Sequence, residues 1–316
     1  MIRPIEIIKN RSDIGAGTRG SDLGIDAIEI AAINKGSDFF IRYSHKDLKT
    51  RNSSVYNPLV HPFAKYINQI YKQCKEVCRA VNETLEDGSF PLVFSGDHSS
   101  AIGTISGIKE ANKDKTLGVI WIDAHADIHS PYTTPSGNMH GMPLAALMQM
   151  DHQEIAKNEV NDDTQFFWQK IKNIGGDYKK ILPSHLLYFG VRDIEAEEVQ
   201  IINDLQIQNY SVEQTRTMGV AKAVEEALLT LKDCDIIYIS FDVDSMDSQL
   251  ISDGTGTPVP KGFNVIEIKE LLKQFFKSQK IVCLEIVEVN PLLDNKGNKM
   301  AEVAFDILEE VINEID

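Results

Sequence analysis

The sequence predicts an α/β chain: a three-layer, doubly wound parallel sheet with helices on both faces. Short β-branched apolar runs alternate with helical patterns from one end to the other, which points to βαβ units. Most of these runs are continuously apolar, as strands buried on both faces must be. Strands are expected at Ile5–Ile8, Phe90–Phe94, Leu117–Ile122, Leu186–Val191, Ile236–Phe241 and Ile281–Val287. The clearest helix spans Pro62–Leu85, where Phe63, Ile67, Ile70, Cys74, Val77, Val81 and Leu85 recur at three- and four-residue spacing. Val212–Leu231 and Asn298–Ile315 read the same way. The polar stretch Asp151–Lys180 breaks this rhythm and reads as a surface insertion. A chain of 316 residues is within reach of one large α/β unit, so residues 1–316 are read as a single domain.

Charge and composition narrow the function. Lys plus Arg number 32 against 47 acidic residues, a formal balance of −15, which disfavours a grip on nucleic acid. No run approaches the roughly 20 apolar residues of a membrane span, and the N-terminus has no signal-peptide core. No membrane partner and a cytoplasmic setting are therefore expected. Cys74, Cys78, Cys234 and Cys283 lack the spacing of a disulfide or zinc framework and read as reduced core residues.

Three polar clusters each follow a strand candidate: Gly96-Asp97-His98, Asp123-Ala124-His125-Ala126-Asp127 and Asp242-Val243-Asp244. In open parallel sheets, ligands bind outside the carboxyl ends of the strands, so the clusters are expected to converge. In extended backbone, Asp-x-His-x-Asp sends its three side chains to one face and Asp-x-Asp its two. With His98 this makes six ligands: His98, Asp123, His125, Asp127, Asp242 and Asp244. That is more than one tetrahedral zinc needs and enough for two ions sharing carboxylates; oxygen-rich ligation without cysteine favours manganese. Taken singly each cluster is weak, since a lone Asp-x-Asp is usually a turn or a cap. Together, so many buried charges need a compensating cation.

The loop Gly15-Ala16-Gly17-Thr18-Arg19-Gly20 has the glycine spacing of a dinucleotide fingerprint and motivates an NAD-dependent oxidoreductase as a competing class. Ile5–Ile8 ends too early for Gly15 to form the immediate strand-to-helix turn, so the loop is read instead as lying on the active-site side. A metal-stabilised binding protein is the other competing class, since a fold does not fix a function.

Gly96-Asp97-His98-Ser99, Asp123-Ala124-His125-Ala126-Asp127-Ile128, Ser136-Gly137-Asn138-Met139-His140-Gly141, Ser240-Phe241-Asp242-Val243-Asp244 and Glu288-Val289-Asn290-Pro291 resemble, in order, the signature blocks of the ureohydrolases, most of all the arginases. The resemblance implies an arginase-like fold, two manganese(II) ions per chain, and hydrolysis of L-arginine to L-ornithine and urea by a metal-bridging hydroxide. It implies that His98, Asp123, Asp127 and Asp242 hold one ion, and that Asp123, His125, Asp242 and Asp244 hold the other. His140 becomes the proton shuttle, suited by an ordinary pKa near 6.5, and Glu288 the guanidinium ligand, with Thr257 beside it. Thr134, Ser136 and Asn138 match the loop that receives the substrate's α-carboxylate. His129 stands where asparagine is commoner, and Glu195 where aspartate meets the α-amino group. Agmatine, another guanidino acid or formimidoylglutamate remain alternative substrates. Trimers or hexamers are the assemblies the resemblance implies.

Overall fold

The computed structural model describes residues 4–315. Eight strands, β1 (Ile5–Asn10), β2 (Ser44–Asp47), β3 (Phe90–Ser95), β4 (Leu117–Ile122), β5 (Leu186–Phe189), β6 (Gln208–Tyr210), β7 (Ile236–Asp242) and β8 (Ile281–Val287), form one sheet. Their order is β2-β1-β3-β8-β7-β4-β5-β6, and every neighbouring pair is parallel. β3, β4, β7 and β8 are buried at every position, which is why they read as largely apolar runs.

Helices close both faces. On one, Gly24–Lys35 packs against Lys299–Ile315, which packs in turn on Val265–Phe276 and then Val220–Thr230. On the other, Ile67–Glu86 lies along Ala101–Ala111 and Asp162–Lys172. All four cysteines are free and buried. Among the described residues no helix is long and apolar enough to cross a membrane.

Several boundaries differ from the sequence reading. β2 and β6 carry the polar strings Ser-His-Lys-Asp and Gln-Asn-Tyr at the sheet edges, where one side faces solvent and little apolar pattern is needed. β1 runs two residues further, to Asn10, and β5 stops at Phe189 rather than Val191. The helix expected from Pro62 starts at Ile67, because Tyr66 takes a left-handed conformation at its N-cap. Val212–Leu231 is two helices: Gly219, at φ 86° and ψ 139°, breaks it between Met218 and Val220.

The segment Asp151–Lys180 is not a surface insertion. Its helix Asp162–Lys172 buries Trp168 and Ile171 against Ile67, Ile70, Cys74 and Ile102. Trp168 Nε1 donates to Asp151 Oδ1 at 2.8 Å, and Lys172 pairs with the same oxygen. Trp168→Ala is expected to cost about 3–5 kcal/mol of unfolding free energy, as large-to-small core changes do, measured by denaturant titration. A loss within about 0.5 kcal/mol, ordinary for surface positions, would return the segment to the surface.

Candidate metal centre

The strand order places the carboxyl ends of β3, β8, β7 and β4 side by side at the middle of the sheet; β3, β7 and β4 lead into the metal-ligand candidates and β8 into Glu288. β3 runs into Gly96-Asp97-His98, where the Asp97 side chain accepts the Ser99 N–H at 2.9 Å and caps the turn His98–Ser100. β7 ends at Asp242, whose carboxylate accepts the Asp244 N–H at 2.8 Å. β8 is followed by Glu288, held at φ 68°.

The period of two is not what gathers the carboxylates. Asp123 to Asp127 lie in an irregular loop after β4 with Asp127 at φ 50°, and Asp244 sits in a short 3-10 turn. Turns fold these side chains back over the strand ends. Left-handed backbone at Asp127 and at Glu288 is costly, and such strain concentrates at functional sites.

His98 Nδ1 lies 3.0 Å from Asp123 Oδ2, 3.0 Å from Asp127 Oδ2 and 3.2 Å from Asp242 Oδ2. His125 Nδ1 lies 3.0 Å from Asp244 Oδ2 and 3.6 Å from Asp123 Oδ1. Two ligand sets result, His98-Asp123-Asp127 and Asp123-His125-Asp244; in each the ligand atoms lie within 4.8 Å of one another, and Asp123 belongs to both. Asp242 stands beside the first through His98. Burial, with Asp123 adding to it, pushes Asp127 up to about 6. Burial and then Asp244 and Asp123 push Asp242 well above its ordinary range. Burial alone lowers the affinity of His98 and His125 for a proton, but the carboxylates around them more than offset it.

The residues fit a bound cation. His98 Nδ1 and Asp123 Oδ2 are buried and make no hydrogen bond, although they face each other at 3.0 Å. A positive charge between them would satisfy both lone pairs.

Above this cluster lies a cavity of about 260 Å³, lined by the ligand candidates His98, His125, Asp127, Asp242 and Asp244, by His140 and Glu288, and by His129, Thr134, Ser136, Asn138, Glu195 and Thr257. Of the site residues expected from sequence, Asp123 alone does not line it; it lies beneath, fully buried. Glu288 Oε1 accepts the His98 backbone N–H at 3.0 Å and lies 3.2 Å from His140 Nδ1, while its Oε2 is buried without a partner. Burial lowers the His140 pKa, but hydrogen bonding to Glu288 outweighs it and holds the ring up to about 9, not near 6.5 as expected from sequence. Thr257 Oγ1 donates to Asp244 Oδ2 at 3.1 Å, so it braces a ligand as well as lining the cavity.

The polar loop is partly self-bonded. Thr134 Oγ1 accepts the Gly137 N–H at 3.0 Å, and Ser136 Oγ accepts the Asn138 N–H at 3.1 Å. Lys65 Nζ donates to Asn138 Oδ1 at 2.9 Å, which leaves the Asn138 amide hydrogens free. The amide nitrogen passes 2.8 Å from where a Cβ on Gly17 would stand, and Gly15 N donates to Asp97 Oδ2 at 2.9 Å. The glycine loop thus packs against the site instead of forming a nucleotide turn.

Glu195 is the N-cap of the helix Ala196–Leu205 in a capping box with Glu198. Its carboxylate is 3.4 Å from His129 Nε2, so the group expected to meet a substrate ammonium already faces an imidazole. Sequence reading missed Asp193, 3.7 Å from His125 Nε2, and buried Glu198, both lining the cavity. Applying the strand-end rule to β5 would have found Asp193. It also missed Arg192, whose Nη2 donates to the carbonyls of Asp244 at 3.0 Å and Val259 at 2.9 Å and fastens the Asp244 turn.

A parallel sheet whose central strand ends gather two ligand sets around a shared carboxylate, beneath an open cavity, is the architecture of a metal-dependent α/β enzyme. The model of the arginase family matches residues 4–313, and the chain belongs to that family. It is 32% identical to the arginase of Bacillus subtilis over 99% of this chain and 98% of that one. Among solved structures it resembles the native arginase of Bacillus caldovelox, with a TM-score of 0.82 and 32% identity over 98% of both chains. It also resembles the Entamoeba histolytica arginase in complex with L-ornithine, with a TM-score of 0.83 and 25% identity over 99% of both.

Proposed function

We propose that this chain hydrolyses L-arginine to L-ornithine and urea, with two manganese(II) ions bound at the strand ends. His98, Asp123, Asp127 and Asp242 would hold one ion and Asp123, His125, Asp242 and Asp244 the other. The observation that carries the reading is the buried, unpartnered Oε2 of Glu288 beside His140, directly over the ligand cluster.

When bound, the ions make water a nucleophile near neutral pH. The chain's own residues do the rest. Glu288 offers its free Oε2 to the planar guanidinium, where a charge-assisted hydrogen bond helps orient the carbon. His140, hydrogen-bonded to Glu288, gives a proton to the departing amine so that ornithine leaves neutral at that nitrogen. Thr134, Ser136 and the free Asn138 amide present donors to the α-carboxylate, and Lys65 holds that amide in place. Glu195 and Glu198 face the α-ammonium end, with His129 between them and the loop. Trimeric or hexameric assembly and a cytoplasmic setting follow the same resemblance.

The His129–Glu195 pair favours a second reading, a different guanidino acid, because it occupies the place of an ammonium ligand. Agmatine lacks the carboxylate, so each loop donor forgoes a hydrogen bond to a charged group, worth about 1.5–3 kcal/mol. Two such donors make a preference for arginine of about 10²-fold or more. Asn138→Ala and Ser136→Ala are each expected to narrow it, read as the ratio of kcat/KM for the two substrates. An unchanged ratio in both variants would remove the loop from substrate selection.

A further inference from the structure

The glycine loop of residues 15–20 takes no part in the proposed chemistry, yet it touches each of the three segments that carry it. Gly15 N donates to Asp97 Oδ2 at 2.9 Å, one residue before His98. The other Asp97 oxygen accepts the Ser99 N–H at 2.9 Å and the Ser99 hydroxyl as well. Gly15 O in turn accepts the His140 backbone N–H at 3.0 Å, so one residue bridges Asp97 and His140. Two residues on, Gly17 leaves room for the Asn138 amide, whose nitrogen lies 2.8 Å from where a Cβ would stand. At the far end Arg19 O accepts the Asn290 amide at 3.2 Å, two residues past Glu288. The loop is also closed on itself: Asp13 Oδ2 accepts the Gly20 N–H at 2.9 Å, and Asp13 O accepts the Ala16 N–H at 3.2 Å. Asp97 is buried, and a buried carboxylate is expensive unless its partners compensate it.

We propose that Asp97, acting through Gly15, is a positioning residue for His140, and that the same loop, through Gly17, places the Asn138 amide. The proposal rests on the arginase reading above. Two arms leave Asp97 and meet again at Glu288 Oε1. Along one, the Asp97 side chain caps the turn His98–Ser100, and His98 N donates to Glu288 Oε1 at 3.0 Å. Along the other, Gly15 holds the backbone of the short turn Met139–Gly141, and His140 Nδ1 lies 3.2 Å from the same oxygen. The circuit fixes the proton donor relative to the guanidinium ligand. A shift of the backbone at His140 carries the ring with it, because only two side-chain torsions separate the ring from Cα. Position 97 calls for a carboxylate, since three donors converge on it: the Gly15 N–H, the Ser99 N–H and the Ser99 hydroxyl. An amide has one acceptor oxygen and turns its NH₂ toward one of the two N–H groups.

The test uses the full chain loaded with manganese(II) and measures kcat and KM for arginine and agmatine, together with metal content. Asp97→Asn is expected to keep both ions and to lower kcat for both substrates about 10–100-fold, the scale of a 1 Å misplacement. Gly15→Ala puts a Cβ 2.5 Å from Asp97 Oδ1 and from Ser99 Oγ, so it displaces the same peptide without changing charge, and kcat is expected to fall likewise. The deciding readout is a double-mutant cycle. With His140 already replaced by alanine, Asp97→Asn is expected to lower kcat by no more than about twofold, since no ring remains to misplace. Gly17→Ala pushes the Asn138 amide aside and is expected to raise KM for arginine about tenfold, the worth of a hydrogen bond to a charged group. Agmatine, without a carboxylate, is expected to change by no more than about twofold. Calorimetric binding of L-ornithine, which needs no turnover, is expected to weaken in step with arginine. Losses that multiply in the cycle would mark Asp97 as a general brace and overturn the proposal. Loss of metal from Asp97→Asn, making it a support of His98 alone, would do the same, as would an unchanged kcat in Gly15→Ala. Equal weakening of arginine and agmatine by Gly17→Ala would sever the loop from Asn138. If the unaltered protein forms no urea, the arginase reading falls and takes the proposal with it. Normal turnover in the unaltered protein and in all three loop variants defeats the positioning role alone.

Discussion

Asp123→Ala is expected to release both cations and with them nearly all activity. Its carboxylate belongs to both ligand sets, with one oxygen toward His98 and the other toward His125. Asp127 stands in only one set and contacts His98 alone among the ligand imidazoles. Breaking a buried ionic arrangement by removing one member costs about 3–5 kcal/mol, roughly 10²–10⁴ in affinity. Asp123→Ala applies that loss to two ions and Asp127→Ala to one. Asp242→Ala is expected to resemble Asp123→Ala if Asp242 bridges as the resemblance implies. Metal content after dialysis, with calorimetric titration of each variant, checks the order. Equal retention of metal in all three variants contradicts the sharing.

His140→Ala is expected to leave both ions bound and to lower kcat by roughly 10²–10⁴, the usual worth of a general acid or base. The ring touches Glu288 and none of the six proposed ligands, so its loss removes a proton donor without dismantling the cluster. Glu288→Gln is expected to raise KM for arginine as well, because the guanidinium loses a charged partner. The two changes are expected to be non-additive, since His140 Nδ1 rests on Glu288 Oε1. Measuring kcat, KM and metal content for both single variants and the double decides it. A fall in metal content for His140→Ala makes His140 a ligand or a brace instead.

The parts of the molecule legible in the sequence were those governed by strand burial. β4 and β8 carry largely apolar runs because both faces are covered, so their limits could be read directly. The short edge strands β2 and β6 have no such pattern, and nothing local distinguishes Ser44–Asp47 from a polar loop. The helix Asp162–Lys172 hid for a related reason. Trp168 and Ile171 are buried beside Asp162, Asp163, Lys170 and Lys172, so a polar average concealed an apolar stripe. At the site, the six ligand positions were readable because each follows a strand. The reason they meet was not, since Asp127 and Glu288 depend on left-handed backbone that no spacing rule contains. The His129–Glu195 contact joins residues 66 apart in sequence, and only the fold brings them together.

Urea formation from L-arginine, measured on the manganese-loaded chain beside the metal-stripped chain and with agmatine and 4-guanidinobutyrate in parallel, tests the central claim most directly. The expected result is urea and ornithine from arginine, abolished by stripping and restored by manganese, with agmatine about 10²-fold poorer in kcat/KM. No urea from any of the three substrates with two ions bound would contradict the hydrolytic reading. Comparable rates on arginine and agmatine would contradict the choice of arginine.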